Sequence, residues 1–332
     1  MPQYRCAFRV GDGDVFVGNS RKTHGVSQIE GTGKRYSVVS YAATLLGYKE
    51  FVDRAYPPKS PRPNFRITSY QIAIPSYKRS ETLKKKTLAL LAKHNIDPKR
   101  VTIFVANESE RKIYEKALKD SPYNNLVVGE LGIMEIRNFM WNYFPEGTPV
   151  LFIDDDIKDM KMLVPGDGSE GNEEEILELI SVPDLEEDLI KPGFHIMREH
   201  SAYIWGINAA NNDFYMKNQV SVGLYYIIAS FYGAIIRHDK NLLCGTDDKE
   251  DYERSVQHYI KDGRVVRLSF ATADTAYYKE PGGMNATRTG KTVSKGAEYM
   301  LKKYPKYCED AGIRDKGQNK GMREIRLKED MG

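Results

Sequence analysis

Phe152-Ile153-Asp154-Asp155-Asp156-Ile157 is an apolar run ending abruptly in three consecutive carboxylates. A buried strand of this kind sets its acids at the edge where a parallel sheet opens, which is where α/β sheets bind ligands. Oxygen ligands gathered there suit a hard divalent cation, which commonly shares its coordination shell with substrate phosphates. Acidic strand ends also occur in metal-dependent nucleases, so the triplet alone leaves the chemistry open.

The surrounding order of signals narrows it. Ile72 to Ile74 reads as a first core strand, with Pro75-Ser76-Tyr77-Lys78-Arg79 as its loop. Leu83, Leu88 and Leu91 carry helical spacing through Ser80 to His94, and Val101 to Ala106 forms a second buried strand closed by Asn107 and Glu108. Leu126 to Val128 is a third strand, and a helix near Met134 to Phe144 leads into Val150 to Ile153. Such alternation predicts an α/β fold with a mixed, mostly parallel, Rossmann-like sheet flanked by helices.

Ile-Pro-Ser-Tyr-x-Arg from Ile74 to Arg79, Gly132 with Arg137-Asn138, and Asp154-Asp155-Asp156 together resemble glycosyltransferases of the A-type fold. Within them the chain looks most like the TET/JBP-associated glycosyltransferases, relatives of the base J glucosyltransferase. The resemblance covers roughly residues 69 to 270. It implies a nucleotide-sugar donor, with a uridine diphosphate sugar expected, and a divalent metal, Mn²⁺ or Mg²⁺. It also implies transfer of a hexosyl or pentosyl group to the hydroxymethyl of 5-hydroxymethylcytosine or 5-hydroxymethyluracil in DNA, in a phage-like modification system. A protein, lipid or polysaccharide acceptor is the alternative.

On this reading Asp154 and Asp156 hold the ribose and the metal-diphosphate, with Asp156 the foremost metal ligand, and Asp155 points the other way to support the turn. Arg137, beside Asn138, contacts the diphosphate or the nucleobase; Pro75, Ser76, Tyr77 and Arg79 line the nucleoside pocket, with Asn107 or Glu108 next to it. Many members of the wider fold add a late His as a metal ligand. None of the six His here stands in that place, and Asp274 is the oxygen ligand that would substitute, unless it is a solvated loop residue.

A second acidic run, Asp247-Asp248-Lys249-Glu250-Asp251-Tyr252, leads into a helix and then the strand Val265 to Phe270. It looks like the acceptor-side Glu-Asp motif of inverting members. A transferase must take a proton from the attacking hydroxyl, and Asp251 is the expected base, with Asp248 the alternate and Glu250 orienting either. The competing structural reading is a helix start, where acids are stabilising without chemistry. Glu173 to Asp188 reads as a solvated acidic face, and Trp205, Tyr225, Tyr226, Phe231 and Tyr232 would lie near the acceptor cleft unless they are core.

Net charge is +3, unevenly placed: Met1 to Tyr70 holds 11 Lys and Arg against 5 acids, Lys279 to Gly332 holds 13 against 8, and the stretch between holds 25 against 33. A basic rim around an acidic core fits a polyanionic acceptor. The three cysteines lack paired metal spacing and suggest reduced thiols, and no apolar run is long enough to span a bilayer. A cytoplasmic protein, in the host cell if phage-encoded, is expected, with no membrane partner. The prolines at 57, 58, 61 and 63 mark a linker. Three parts are therefore expected: a small accessory α+β region at 1–68 with a helix through Ala42 to Phe51, a catalytic domain at 69–310, and a polar tail at 311–332. Glu280 to Asn285 is expected to form a closing loop, with Arg288 and Lys291 available to phosphate, ahead of a helix from Ser294 to Lys303.

Overall fold

The computed structural model describes residues 57–165, 177–275, 289–315 and 320–329, with the backbone of three strands before them. The chain divides into two units, Met1–Pro57 and Pro58–Gly332, so the break falls within the proline cluster. In the first unit β1 (Cys6–Val10) pairs antiparallel with both β2 (Asp14–Gly18) and β3 (Ser37–Val38). The helix expected through Ala42 to Phe51 lies outside the described residues.

The second unit begins with β4 (Gln71–Ser76), α1 (Ser80–Lys85), α2 (Thr87–Lys93), β5 (Val101–Val105) and α3 (Glu108–Ala117). Next come β6 (Leu126–Val128), α4 (Ile133–Tyr143), β7 (Pro149–Ile153), β8 (Ile157–Pro165) and β9 (Leu177–Ser181). A single π-helical turn at Leu185–Ile190 runs into α5 (Lys191–Glu199), followed by β10 (Ile204–Asn208), β11 (Val220–Gly223) and β12 (Phe231–Ile235). The unit ends with α6 (Glu250–Asp262), β13 (Val265–Thr275), α7 (Gly290–Lys303), β14 (Cys308–Ile313) and β15 (Arg323–Leu327).

These strands make a ten-stranded mixed α/β sheet in the order β6-β5-β4-β7-β12-β10-β13-β8-β9, with β11 also on β13. The block β6-β5-β4-β7 is wholly parallel, as βαβ crossovers require. Antiparallel β12 then separates β7 from β10, and β10 runs parallel with β13. Two successive reversals restore direction, so β4, β7, β10 and β13 all end at one edge. Both acidic runs are organised against that edge.

One helix was expected over Ser80 to His94, and two form. The chain breaks at Lys86 (φ −113°, ψ −89°). The break frees Thr87, wholly buried, to donate to the Asp154 carbonyl at 2.7 Å and accept from the Ile157 amide at 3.0 Å. A helix start is thereby pinned to both sides of the acidic turn.

The core runs beneath this edge as a stack of rings. Trp141 lies 5.9 Å from Phe152 at 14°, and Phe152 lies 4.8 Å from Tyr232 at 10°. Trp205 is fully buried, edge-on to Phe194 and Phe231. Gly193 and Gly233 make room for it, since a Cβ there would meet its ring at 2.6 and 2.1 Å. Trp205, Phe231 and Tyr232 are therefore core residues and offer no surface to an acceptor. Each such buried side chain stabilises the fold by about 2–3 kcal/mol.

Two further expectations change. The stretch from Glu173 to Asp188 includes an edge strand, β9 on β8, while Gly166 to Gly171 and Glu173 to Glu175 lie outside the described residues. The polar tail expected from 311 contains β15, paired antiparallel with β14. Ile325 and Leu327, each 3 % exposed, pack with Val256 of α6 and Ala297 and Met300 of α7. Two apolar residues at alternating positions suffice to dock a strand whose other face is charged. The expected Glu280 to Asn285 loop and Arg288 lie outside the described residues, whereas Lys291 is exposed in the first turn of α7.

Candidate functional site

Asp154, Asp155 and Asp156 leave β7 in three directions. The Asp155 carboxylate is buried, accepts from the Ser76 hydroxyl at 2.5 Å, and lies 3.3 Å from Arg79 Nη1. Burial pushes its pKa up to about 7, and Ser76 and Arg79 oppose that rise. Asp155 thus braces the turn from inside, as expected of it. Arg79 Nη1 also lies 3.3 Å from Asp156, whose other oxygen accepts from the Thr275 hydroxyl at 2.9 Å. Asp154 is a third exposed, its amide donating to the Ser230 carbonyl and its carboxylate accepting from Arg137 Nη2 at 2.6 Å. Burial raises the Asp154 pKa against the pull of Arg137, and the neighbouring Asp156 charge adds to the rise.

Arg137 is 2 % exposed and is no surface helix salt bridge. Its Nε stands 3.4 Å from Glu250, so one guanidinium joins the first acidic run to the second. Asn138 makes the same connection through the backbone: its amide donates to the Cys244 carbonyl at 2.8 Å and accepts from the Cys244 amide at 2.9 Å. At the start of α4, the Met134 amide donates to Asp247 at 3.1 Å. The Arg-Asn pair thus ties the two acidic runs together.

Glu250 is buried, and burial followed by the adjacent Asp251 charge pushes its pKa up to about 8 against Arg137 and Arg254. Arg254 lies over Trp141 and Tyr232, at 5.6 and 5.1 Å from the ring centres. Asp251 is half-buried; it accepts from the Tyr226 hydroxyl, while its second oxygen accepts from the Tyr252 amide at 2.9 Å. The Tyr226 and Tyr252 rings pack 4.3 Å apart, and burial together with the Asp251 charge holds the Tyr226 phenol well above its ordinary pKa. Tyr226 therefore remains a hydrogen-bond donor to the carboxylate. Asp248 is 4 % exposed beneath α7, where a Cβ on Gly296 would sit 2.3 Å from its carbonyl. Asp251 is accordingly the more accessible of the two carboxylates considered as a base.

Lys249, left-handed at φ 76°, precedes α6 and makes no side-chain cap, and Glu250, Asp251 and Glu253 stand in the first turn, where the helix-start reading expected acids to be stabilising. Lys249 is buried and ion-paired with Glu324 of β15 at 2.5 Å. From the same C-terminal segment Glu329 accepts from the Tyr226 amide at 3.2 Å and meets Arg267 at 3.1 Å. The segment expected to be a tail thus holds Lys249, two residues before Asp251, and the backbone of its phenol partner Tyr226.

The loop after β4 is shaped by a residue not anticipated. Lys78 is left-handed at φ 56°, and its amide donates to buried Glu110 at 2.8 Å. Pro75 and Tyr77 are half-buried, with Lys78 Nζ 5.0 Å from the Tyr77 ring centre. Ser76 is buried, with its hydroxyl 2.7 Å from that of Tyr114 and donating to Asp155, so it supports the turn from beneath. Asn107 caps α3, accepting from the Glu110 amide at 3.0 Å, and Glu108 is exposed beside Arg111. Both side chains are thus engaged at the start of α3. Asp274 lies opposite Asp159 in the β8–β13 register, and it is Thr275 whose side chain reaches Asp156. Among the described residues no group of three or more His, Cys, Asp or Glu converges on a point that could hold a metal ion.

Thr87, Glu110 and Thr275 are supporting residues that sequence reasoning missed, and Tyr226 was placed near the acceptor cleft without its bond to Asp251. The three are polar residues flanking or within predicted elements, and only their contacts distinguish them from ordinary surface positions.

No protein-family profile and no curated protein matches the chain by sequence. Solved structures do align with it. Residues 1–349 of TarS from S. aureus are 14 % identical, with 72 % of this chain and 73 % of that one covered and a TM-score of 0.41. The mannosyltransferase PcManGT from Pyrobaculum calidifontis, solved with GDP-Man and Mn²⁺, is 12 % identical over 79 % of this chain and 72 % of that one, with a TM-score of 0.45. The 4-diphosphocytidyl-2C-methyl-D-erythritol synthase of Anaerococcus prevotii is 12 % identical over 70 % and 96 %, with a TM-score of 0.37.

Proposed function

We propose that the chain is a glycosyltransferase that moves a sugar from a nucleoside diphosphate donor to the hydroxymethyl group of a modified pyrimidine in DNA. The observation that carries the transferase reading is the joining of the two acidic runs through Arg137 at the sheet edge where β4, β7, β10 and β13 end. One run suits the diphosphate, and the other offers a base to the attacking hydroxyl. The DNA acceptor rests on the motif resemblance and on the basic terminal regions.

Asp154 and Asp156 offer hard oxygens, and each already faces a guanidinium, Arg137 and Arg79. That suits an ion bound through one or two carboxylates with the remaining positions filled by phosphate oxygens and water, as Mg²⁺ commonly is. Asp154 and Asp156 would hold it, and it would neutralise charge on the departing diphosphate.

In the transfer, Asp251 accepts the proton of the acceptor hydroxyl as that oxygen bonds to the anomeric carbon. The bond from that carbon to the diphosphate breaks, and its electron pair leaves with the diphosphate. Tyr226 fixes the Asp251 carboxylate by hydrogen bonding one oxygen, and Arg137 keeps Glu250 and Asp154 in register. A single base on the acceptor side implies inversion at the anomeric carbon.

The test is the mass of nucleosides released from DNA containing 5-hydroxymethylcytosine or 5-hydroxymethyluracil after incubation with the protein, Mn²⁺ or Mg²⁺ and a panel of nucleotide sugars. A gain of one hexose or pentose on either base is expected. Donor hydrolysis with no gain on DNA would remove the DNA acceptor and favour the protein, lipid or polysaccharide one.

A further inference from the structure

Phe214 and Tyr215 are 83 % and 67 % exposed, the most exposed aromatic rings among the described residues. Their rings meet edge-to-face at 5.0 Å and 87°. They occupy a short 3-10 turn, Asp213–Tyr215, whose backbone is firmly tied. The Asn212 and Asp213 side chains both accept from the Phe214 amide, at 3.0 and 2.9 Å. Asn208 at the end of β10 donates to the Tyr215 carbonyl at 3.2 Å, Met216 is buried, and the Lys217 amide donates to Ser269 of β13 at 3.1 Å. A fixed backbone thus presents two rings whose burial would otherwise stabilise the fold.

Their place in the sheet gives them a use. β10 ends at the edge that carries the acidic turn, and Asn208 pairs with Thr272 of β13. Thr275, which bonds Asp156, is three residues further along that strand, about 10 Å at the rise of a strand. The turn therefore follows the end of β10 at that edge and packs beside β9, on the side of β10 away from the nucleoside loop after β4.

We propose that Phe214 and Tyr215 are the platform on which an unstacked base of the DNA acceptor rests. This rests on the acceptor assigned under the proposed function. An enzyme reaching a hydroxymethyl group on a base must handle that base outside the duplex stack, and aromatic faces are the sequence-tolerant surface for it. Exposed Lys217, two residues on, supplies a cation for an adjoining phosphate. Trp205 and Tyr232, which sequence reading placed near the acceptor cleft unless they were core, are enclosed in the core.

The test compares the full chain with the double variant Phe214→Ala/Tyr215→Ala, which disturbs exposed side chains only. Two readouts are used: steady-state transfer to hydroxymethylated DNA, and anisotropy of a labelled single-stranded oligonucleotide on the order of 10 nucleotides long. The KM for DNA and the oligonucleotide Kd should each rise about tenfold or more, with hydrolysis of the nucleotide sugar unchanged. Transfer to DNA with an unaltered KM in the variant would overturn the platform and leave the acceptor assignment standing. An original chain that transfers nothing to DNA would overturn the acceptor assignment. In that case an oligonucleotide Kd equal in both proteins, or no binding by either, overturns the platform as well.

Discussion

The two acidic runs reach the same edge by different means. Asp154 to Asp156 are placed by what immediately precedes them, a fully buried strand in a parallel block, with Thr87 and Ser76 bracing the turn from adjacent elements. Asp247 to Asp251 have no such strand. They are held from outside by Asn138 and Arg137 of α4, by Tyr226, and by Glu324 on a strand 75 residues from Lys249. The first is a feature of the sheet, and the second is an assembly of long-range contacts. A substitution in the first should alter binding of the donor, whereas one in the second should alter chemistry or stability.

That contrast is sharpest for activity. Asp251→Asn removes the proposed base and keeps the shape, so transfer should fall by about 10²–10⁴-fold. Binding of the free nucleoside diphosphate should be unchanged, while Asp156→Ala should weaken that binding as well as turnover. Calorimetry beside a transfer assay separates them. Equal loss of nucleotide binding in both variants would mean that the two runs form one ligand site, and near-normal transfer by Asp251→Asn would end its assignment as the base.

Arg137 is where the two constructions meet. Arg137→Met leaves Glu250 and Asp154 without their shared cation in a buried setting, which typically costs about 3–5 kcal/mol. Urea unfolding measures this directly. Arg137→Lys should recover only part of it, since one ammonium cannot reproduce a fork that spans two carboxylates. A loss below about 1 kcal/mol, the range of exposed pairs, would show that the runs are placed independently.

The pH response distinguishes them more gently. Glu250 has a folded pKa of about 8, above its ordinary value of 4.5. Between those values the folded chain holds more proton than the unfolded one, so stability from this group is full below about 4.5 and lost as pH rises through about 8. The Tm should decline from pH 5 to 8.5, and Glu250→Gln should flatten part of that decline. Asp155, raised to about 7, keeps a residual slope of the same sign. An identical slope in the variant would place Glu250 in contact with water.

How far the sequence could be read follows the same division. The strands β4 to β7 and their helices were legible because each is a local apolar pattern ending in turn chemistry. β8 was not read as a strand: Ile157-Lys158-Asp159-Met160-Lys161-Met162 has its apolar positions interleaved with charges directly after an acidic turn. The break at Lys86 was hidden in Lys84-Lys85-Lys86, residues that favour helix everywhere; the cause is Thr87's contacts to Asp154 and Ile157. Glu324 could not be assigned because its strand follows a polar segment and only Ile325 and Leu327 signal burial. Arg137 was singled out through its motif, which gives an arginine's position and not which carboxylates will enclose it.

The smallest expected effect tests the most local of these readings. Asn107 follows the second strand at the position a nucleoside ligand would take, and its side chain accepts from the Glu110 amide at 3.0 Å and from the Ser109 hydroxyl at 2.5 Å. Its carbonyl oxygen is thereby committed to starting α3. Asn107→Ala should cost about 1 kcal/mol of stability, the ordinary price of a lost cap, and Asn107→Asp should restore it because a carboxylate accepts the same bonds and favours a helix N-terminus. The KM for the nucleotide sugar should stay within about twofold in either variant once the protein is folded, since cap strength and donor affinity are separate quantities here. A several-fold rise in that KM without loss of stability would return Asn107 to the donor pocket. It would also mean that the first acidic run depends on long-range partners as the second does.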